Sequence, residues 1–206
     1  MKKEIEMLLV AFFVLGFGIC SAKRPALFTP KNLNSTQLYK NTLNMVRKHD
    51  TLRLLMFSPG IEHQIPNCLI SKYLSKTSKG ARRTLETNFI LKEKPLTQLK
   101  SQIRIDVTNG TEPYLQAVYV DDQHDANWTY AQYVKYALPK KCLILEDSSS
   151  EAGPHRCTLW GYKHSNTCQK IFVIKCRRGR AVDLTKCTEP DKKKAGKKTN
   201  TKSKSG

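Results

Sequence analysis

From Thr51 to Lys163 the chain repeats one pattern, short runs of alternating apolar and polar residues broken by turn residues, and this limits the fold more than any other feature. The runs are 51–57, 68–75, 84–92, 100–107, 114–121, 128–137, 142–147 and 156–163. Between them stand Ser58-Pro59-Gly60, Lys79-Gly80, Lys94-Pro95, Asn109-Gly110, Asp121-Asp122, Leu138-Pro139 and Gly153-Pro154. Successive side chains of a strand point to opposite faces, so a period of two marks strands with one buried side. At 100–107, Ile103, Ile105 and Val107 oppose Gln102, Arg104 and Asp106. At 128–137, Trp128, Tyr130, Gln132, Val134 and Tyr136 oppose Thr129, Ala131, Tyr133 and Lys135, and the Trp128 row is expected inside. Eight short strands joined mainly by tight turns predict an antiparallel barrel or a sandwich. An immunoglobulin-type sandwich fits worse: its cysteines and tryptophan are spaced differently.

Residues 31–48 read as a short helix, with Leu38, Thr42 and Met45 on one face and Ser35 or Thr36 as its cap. The stretch Cys168–Cys176 reads two ways. Cys168, Ile171, Phe172 and Cys176 share a helical face, whereas Ile171 to Ile174 would also suit a strand; a helix packed on the barrel is favoured.

The front of the chain reads as an export signal. Lys2 and Lys3 precede an apolar run from Met7 to Ile19, and Ser21 and Ala22 form a small-residue cleavage site. The run is too short to span a bilayer, which takes about 20 apolar residues. The expected division is 1–22 signal peptide, 23–187 barrel domain and 188–206 Lys-rich disordered tail. Past Cys20, six cysteines remain; in an oxidising compartment they read as three disulfides, with 15 possible pairings. Asn34, Asn109 and Asn127 each begin an Asn-x-Ser/Thr sequon, which places them at exposed, glycosylated positions.

The net charge of +19 favours anionic partners, heparin-like glycans or anionic surfaces, with Lys192, Lys193, Lys194, Lys197 and Lys198 as the contact set. An extracellular address removes nucleic acid from that group. The histidines fall in no nucleophile or metal spacing, and no Gly-rich phosphate loop occurs, so the expectation is a binder without enzymatic activity, cofactor or metal.

Cys142-Leu143-Ile144-Leu145, then Cys157-Thr158-Leu159-Trp160, Cys168, Phe172, Cys176 and Cys187 resemble the tick salivary lipocalins, of the histamine-binding-protein type. The order of signal, short N-terminal helix and strand series resembles them too, across Leu33 to Cys187. The resemblance implies an all-β fold with minor α: an eight-stranded antiparallel lipocalin-like barrel with an N-terminal and a C-terminal helix. It implies the pairs Cys68–Cys187 and Cys142–Cys168, which leaves Cys157 with Cys176. It further implies a monomer secreted in saliva that sequesters a small host mediator, a lipid or an amine. The family's amine-binding members carry acidic residues where this chain has Leu143 and Thr158. A buried ammonium without a carboxylate costs several kcal/mol, and the face of Trp160 returns only about 0.5–2 kcal/mol. The expected ligand is therefore apolar or lipid-like, of leukotriene or thromboxane type, held by Trp160, Thr158, Leu143, Trp128, Tyr130 and Tyr136. Trp160 would serve equally well as plain core. The rival expectation is a protein- or glycan-binding antagonist of haemostasis or complement that acts through the basic surface.

Overall fold

The computed structural model describes residues 28–66, 68–87, 90–91, 94–95, 100–120, 129–148 and 156–187. The proposed signal, Trp128, Asn127 and the lysines of the tail lie outside them. The chain divides into two units, Met1–Lys31 and Asn32–Gly206, and every element below belongs to the second. Among the described residues no helix is long and apolar enough to cross a membrane.

Helix α1 spans Ser35–Val46. Its cap is Asn34, not Ser35 or Thr36. The Asn34 carboxamide oxygen accepts from the Gln37 amide at 2.9 Å, and the Gln37 side chain accepts from the Asn34 amide at 3.3 Å. The reciprocal pair satisfies donors that a helix start otherwise leaves open. Ser35 and Thr36 already lie within the first turn. Thr42, Met45 and Val46 form the buried stripe, with Leu38 and Leu43 partly covered beside it.

The strands are β1 (Leu52–Phe57), β2 (Leu69–Ser71), β3 (Tyr73–Lys76), β4 (Gly80–Thr87), β5 (Ile90–Leu91), β6 (Lys94–Pro95), β7 (Lys100–Thr108), β8 (Tyr114–Tyr119), β9 (Thr129–Leu138), β10 (Cys142–Asp147), β11 (Cys157–Gly161) and β12 (Arg180–Ala181). Antiparallel pairing runs β1-β2-β4-β7-β8-β9-β10-β11 and returns to β1 through Arg53 opposite Gly161 and Leu54 opposite Trp160. Eight strands thus close into a barrel. β3 resumes after Lys72 and pairs with β4 as β2 does, so the run expected at 68–75 is one interrupted stave. β12 pairs with the end of β1, while β5 and β6 form a separate ribbon.

The run expected at 84–92 begins instead at Gly80 and ends at Thr87, with β5 as a separate piece. The reason lies in the neighbouring strand. A Cβ on residue 80 would collide with the Ile105 carbonyl oxygen, so glycine lets β4 start in close contact with β7 where Lys79-Gly80 reads as a turn. The burial of β7 alternates as the pattern requires, with Ile103, Ile105 and Val107 covered.

Helix α1 touches β4, β7, β9 and β10, strands from different sides of the ring, so it lies across one end of the barrel. The Asn41 side chain donates to the Ala137 carbonyl at 2.9 Å, and the Tyr162 hydroxyl donates to the Met45 carbonyl at 3.0 Å. Arg83 pins this closed end. Fully buried, it donates to the carbonyls of Val46, Lys48, Asp50 and Ser71 and to the Ser71 hydroxyl, all within 3.0 Å. Burial pulls its pKa down to about 10, which leaves the guanidinium charged at neutral pH. A buried charge is tolerable only when its donors are so occupied, and here five acceptors depend on it in return.

Helix α2 (Asn166–Cys176) packs on the outside of the wall, its 168–176 stretch a helix as favoured from the sequence. Cys168, Ile171, Phe172 and Cys176 meet Cys142, Ile144, Cys157 and Leu159, the outward residues of β10 and β11. Disulfides Cys142–Cys168 and Cys157–Cys176 bind the helix to the wall at both ends. Cys68–Cys187 fastens the segment after β12 back to the start of β2, across 119 residues.

Candidate functional site

The inward faces of the strands leave a cavity of about 480 Å³, within the range of small-molecule sites. Its deep part is apolar: Val46, Leu52, Ile105, Leu115 and Leu143 surround Trp160. Ile61, Ile65 and Pro66, from the segment after β1, line it at the other end, where Thr87, Tyr119 and Asp147 stand at strand tips.

The polar lining sits mainly along β9 to β11. Thr158 and Trp160 are inward neighbours on β11, and the indole N–H donates to the Thr158 hydroxyl at 3.2 Å. On β9 the Gln132 side chain donates to the Tyr130 hydroxyl at 3.3 Å. Burial, and then the nearby Asp147 carboxylate, push the Tyr130 pKa up to about 12, so the phenol stays neutral. Among the described lining residues, Asp147 is the sole carboxylate and Arg156 the sole cation. They are neighbours across the β10–β11 ladder, where the Asp147 amide donates to the Arg156 carbonyl at 3.0 Å. Among the described residues, the mouth therefore holds one charge of each sign and the depth holds none.

The expected lining residues divide as follows. Leu143, Thr158, Trp160 and Tyr130 face the cavity. Trp128 lies outside the described residues. Tyr136 does not face the cavity, which corrects the expectation. Opposite β10, Ile144 pairs with Tyr136 but Leu145 pairs with Val134, so Lys135 is an extra residue on β9. Such a bulge reverses the parity beyond it. Val134 and then Ala137 face the lumen, while Tyr136 is turned outward into the cluster beneath α2. Lys135 reaches Glu146 on that outer face at 2.7 Å.

Asp147 and Arg156 were not among the expected site residues, yet the sequence carried the signal. With Leu143 and Leu145 inside, a period of two places Asp147 inside as well. With Trp160 and Thr158 inside, the same count places Arg156 there. Of the sequons, Asn34 is exposed and keeps its capping bond through the carboxamide oxygen, and Asn109 is exposed just past β7. The five tail lysines lie outside the described residues, as does Asn127.

No protein-family model and no curated protein matches the chain. Among solved structures, it is similar to Japanin from Rhipicephalus appendiculatus bound to cholesterol, with a TM-score of 0.52 and 18% identity over 66% of this chain and 93% of that one. It is also similar to apocrustacyanin C2, with a TM-score of 0.48 and 13% identity over 77% of this chain and 91% of that one. The likeness to Japanin is one of fold: the closed eight-stranded antiparallel barrel is lipocalin-like.

Proposed function

We propose that this chain is a secreted, non-enzymatic carrier that sequesters a small apolar or lipid-like mediator inside its barrel. One observation carries the reading: the cavity of about 480 Å³ is lined in its depth by aliphatic side chains and one indole. Transferring apolar surface from water to such a lining is worth about 25 cal/mol per Å². The hydroxyl and amide groups of Tyr130, Gln132 and Thr158 suit one polar end of an otherwise apolar molecule. Cholesterol in the Japanin structure supports that ligand class for this barrel shape.

Histamine fits worse. An ammonium in the depth would meet Leu143 and Thr158 without a carboxylate, and Asp147 stands at the mouth beside Arg156. A cation–π contact with Trp160 does not offset that desolvation. A lipid of leukotriene or thromboxane type places its chain in the depth and its carboxylate near Arg156. Three disulfides, with sequons at Asn34 and Asn109 on exposed positions, support passage through an oxidising, glycosylating compartment.

Native mass spectrometry of the refolded protein against a sterol, leukotrienes, a thromboxane analogue, histamine and serotonin tests the reading. The expected result is a 1:1 complex with at least one of the lipids and none with the amines. Retention of histamine alone would overturn it.

A further inference from the structure

We propose that the outward face of α2 docks on anionic lipid surfaces. A helix lying on a protein wall ordinarily turns polar residues to solvent. This one turns Val173 and Ile174 outward, 48% and 50% exposed, although its inner face is already complete with Ile171, Phe172 and two disulfides. Exposed Lys175, Arg177 and Arg178 follow directly on the apolar pair. Apolar side chains ringed by cations are the combination that binds an anionic bilayer, where the aliphatic groups enter the headgroup boundary and the cations meet lipid phosphate and carboxylate. A sulfated glycan would engage the cations and gain nothing from Val173 and Ile174.

The disulfides fix where this face sits. Cys142–Cys168 ties the start of α2 to the end of the wall where α1 lies, because Cys142 follows Leu138 and opposes it in the ladder. Cys157–Cys176 ties its last residue to the other end, next to Arg156 at the cavity mouth. Arg177 and Arg178 therefore belong to the mouth end of the barrel. A docked molecule presents its opening near the membrane, the place from which an apolar ligand is drawn. The surface itself lies outside the cavity and stands whether or not the cavity reading does.

Flotation of the full secreted chain with phosphatidylcholine vesicles, with and without phosphatidylserine, tests the proposal. Two variants accompany the parent, Val173→Ser/Ile174→Ser and Lys175→Glu/Arg178→Glu; all four positions are exposed, and circular dichroism checks their folding. The parent should float only with the serine-lipid vesicles. The charge variant should lose at least roughly 25-fold in affinity, about fivefold for each basic side chain removed, with the repulsion of the two new carboxylates adding to the loss. The apolar variant should lose about tenfold while its retention on a heparin column stays that of the parent. If the apolar variant binds the vesicles as the parent does, the contact is that of a general polyanion site and the proposal fails. It fails equally if the parent does not float. Binding of a cavity ligand, measured on the same preparations, reports separately on the carrier reading.

Discussion

The lumen and the seam beneath α2 are made by alternate residues of the same strands, yet one is hollow and the other filled. On β10, Leu143 and Leu145 face the cavity while Cys142 and Ile144 face the helix. On β11, Thr158 and Trp160 face in while Cys157 and Leu159 face out. The seam is occupied by the buried side chains of Phe172, Ile171 and Tyr136 and by two cystines. In the lumen about 480 Å³ is left without protein atoms. A barrel of eight strands is just wide enough either to be filled by its side chains or to hold one small ligand. Here the inward residues leave it hollow, and the dispersion contacts forgone there must be made elsewhere. The seam is one such place, and the Arg83 cluster at the closed end is another. Stability and binding capacity are thereby assigned to opposite faces of one sheet.

This division can be broken by truncation on either side. Phe172→Ala should cost about 4 kcal/mol, since the ring is fully buried in a packed cluster with nothing free to collapse into its place. Denaturant unfolding would measure it, and ligand affinity of the folded fraction should stay within about twofold, because the seam does not touch the cavity. Leu145→Ala should cost less, about 1–2 kcal/mol against the usual 2–5, because part of its surroundings is already void. Affinity should fall in this variant, as the ligand loses a wall. Equal destabilisation by the two substitutions would mean that the lumen packs as tightly as the seam.

The smallest effect is nil at neutral pH and emerges only in alkali. Burial raises Tyr130 at the cavity and Tyr162 at the closed end to about 12 each. Both lie above the unfolded value of 10, so the folded state keeps these protons longer. The stability they contribute is complete below pH 10 and drains away as pH rises towards 12. Arg83 has the reverse sign in the same window: its folded value of about 10 lies below its unfolded 12.5, so its contribution grows there. Absorbance titration of the phenolates should show two tyrosines ionising about two units late, and a bound ligand should delay Tyr130 further without moving Tyr162. A titration in which both respond to ligand would place the ligand at the closed end as well.

Strand identity was legible in the chain because a period of two is a local property. Seven of the runs lie within two residues of observed strands, and only the 84–92 run was shifted, by the close approach of Gly80 to β7. Lining residues of β10 and β11 were legible for the same reason, including Asp147 and Arg156 had the count been carried to the strand ends. Tyr136 was not. The extra residue at Lys135 is visible only in the register with β10, and that register is a relation between two strands. Arg83 was not legible either. A charged residue reads as exposed, and the five acceptors that hold it come from two segments, 46–50 at the end of α1 and Ser71 on β2, that meet over Arg83 only once the barrel has closed on α1.

The amino-acid order by itself set the alternation, the turns and the helix stripes, all of them properties of residues near in sequence, and the count of six cysteines in the barrel domain. Tertiary structure decided which face of each strand became lumen and which became seam beyond a bulge, and how much of the lumen stayed empty. The physical reason is that parity propagates along a strand without reference to its neighbours, whereas register and void volume exist only between strands that have met.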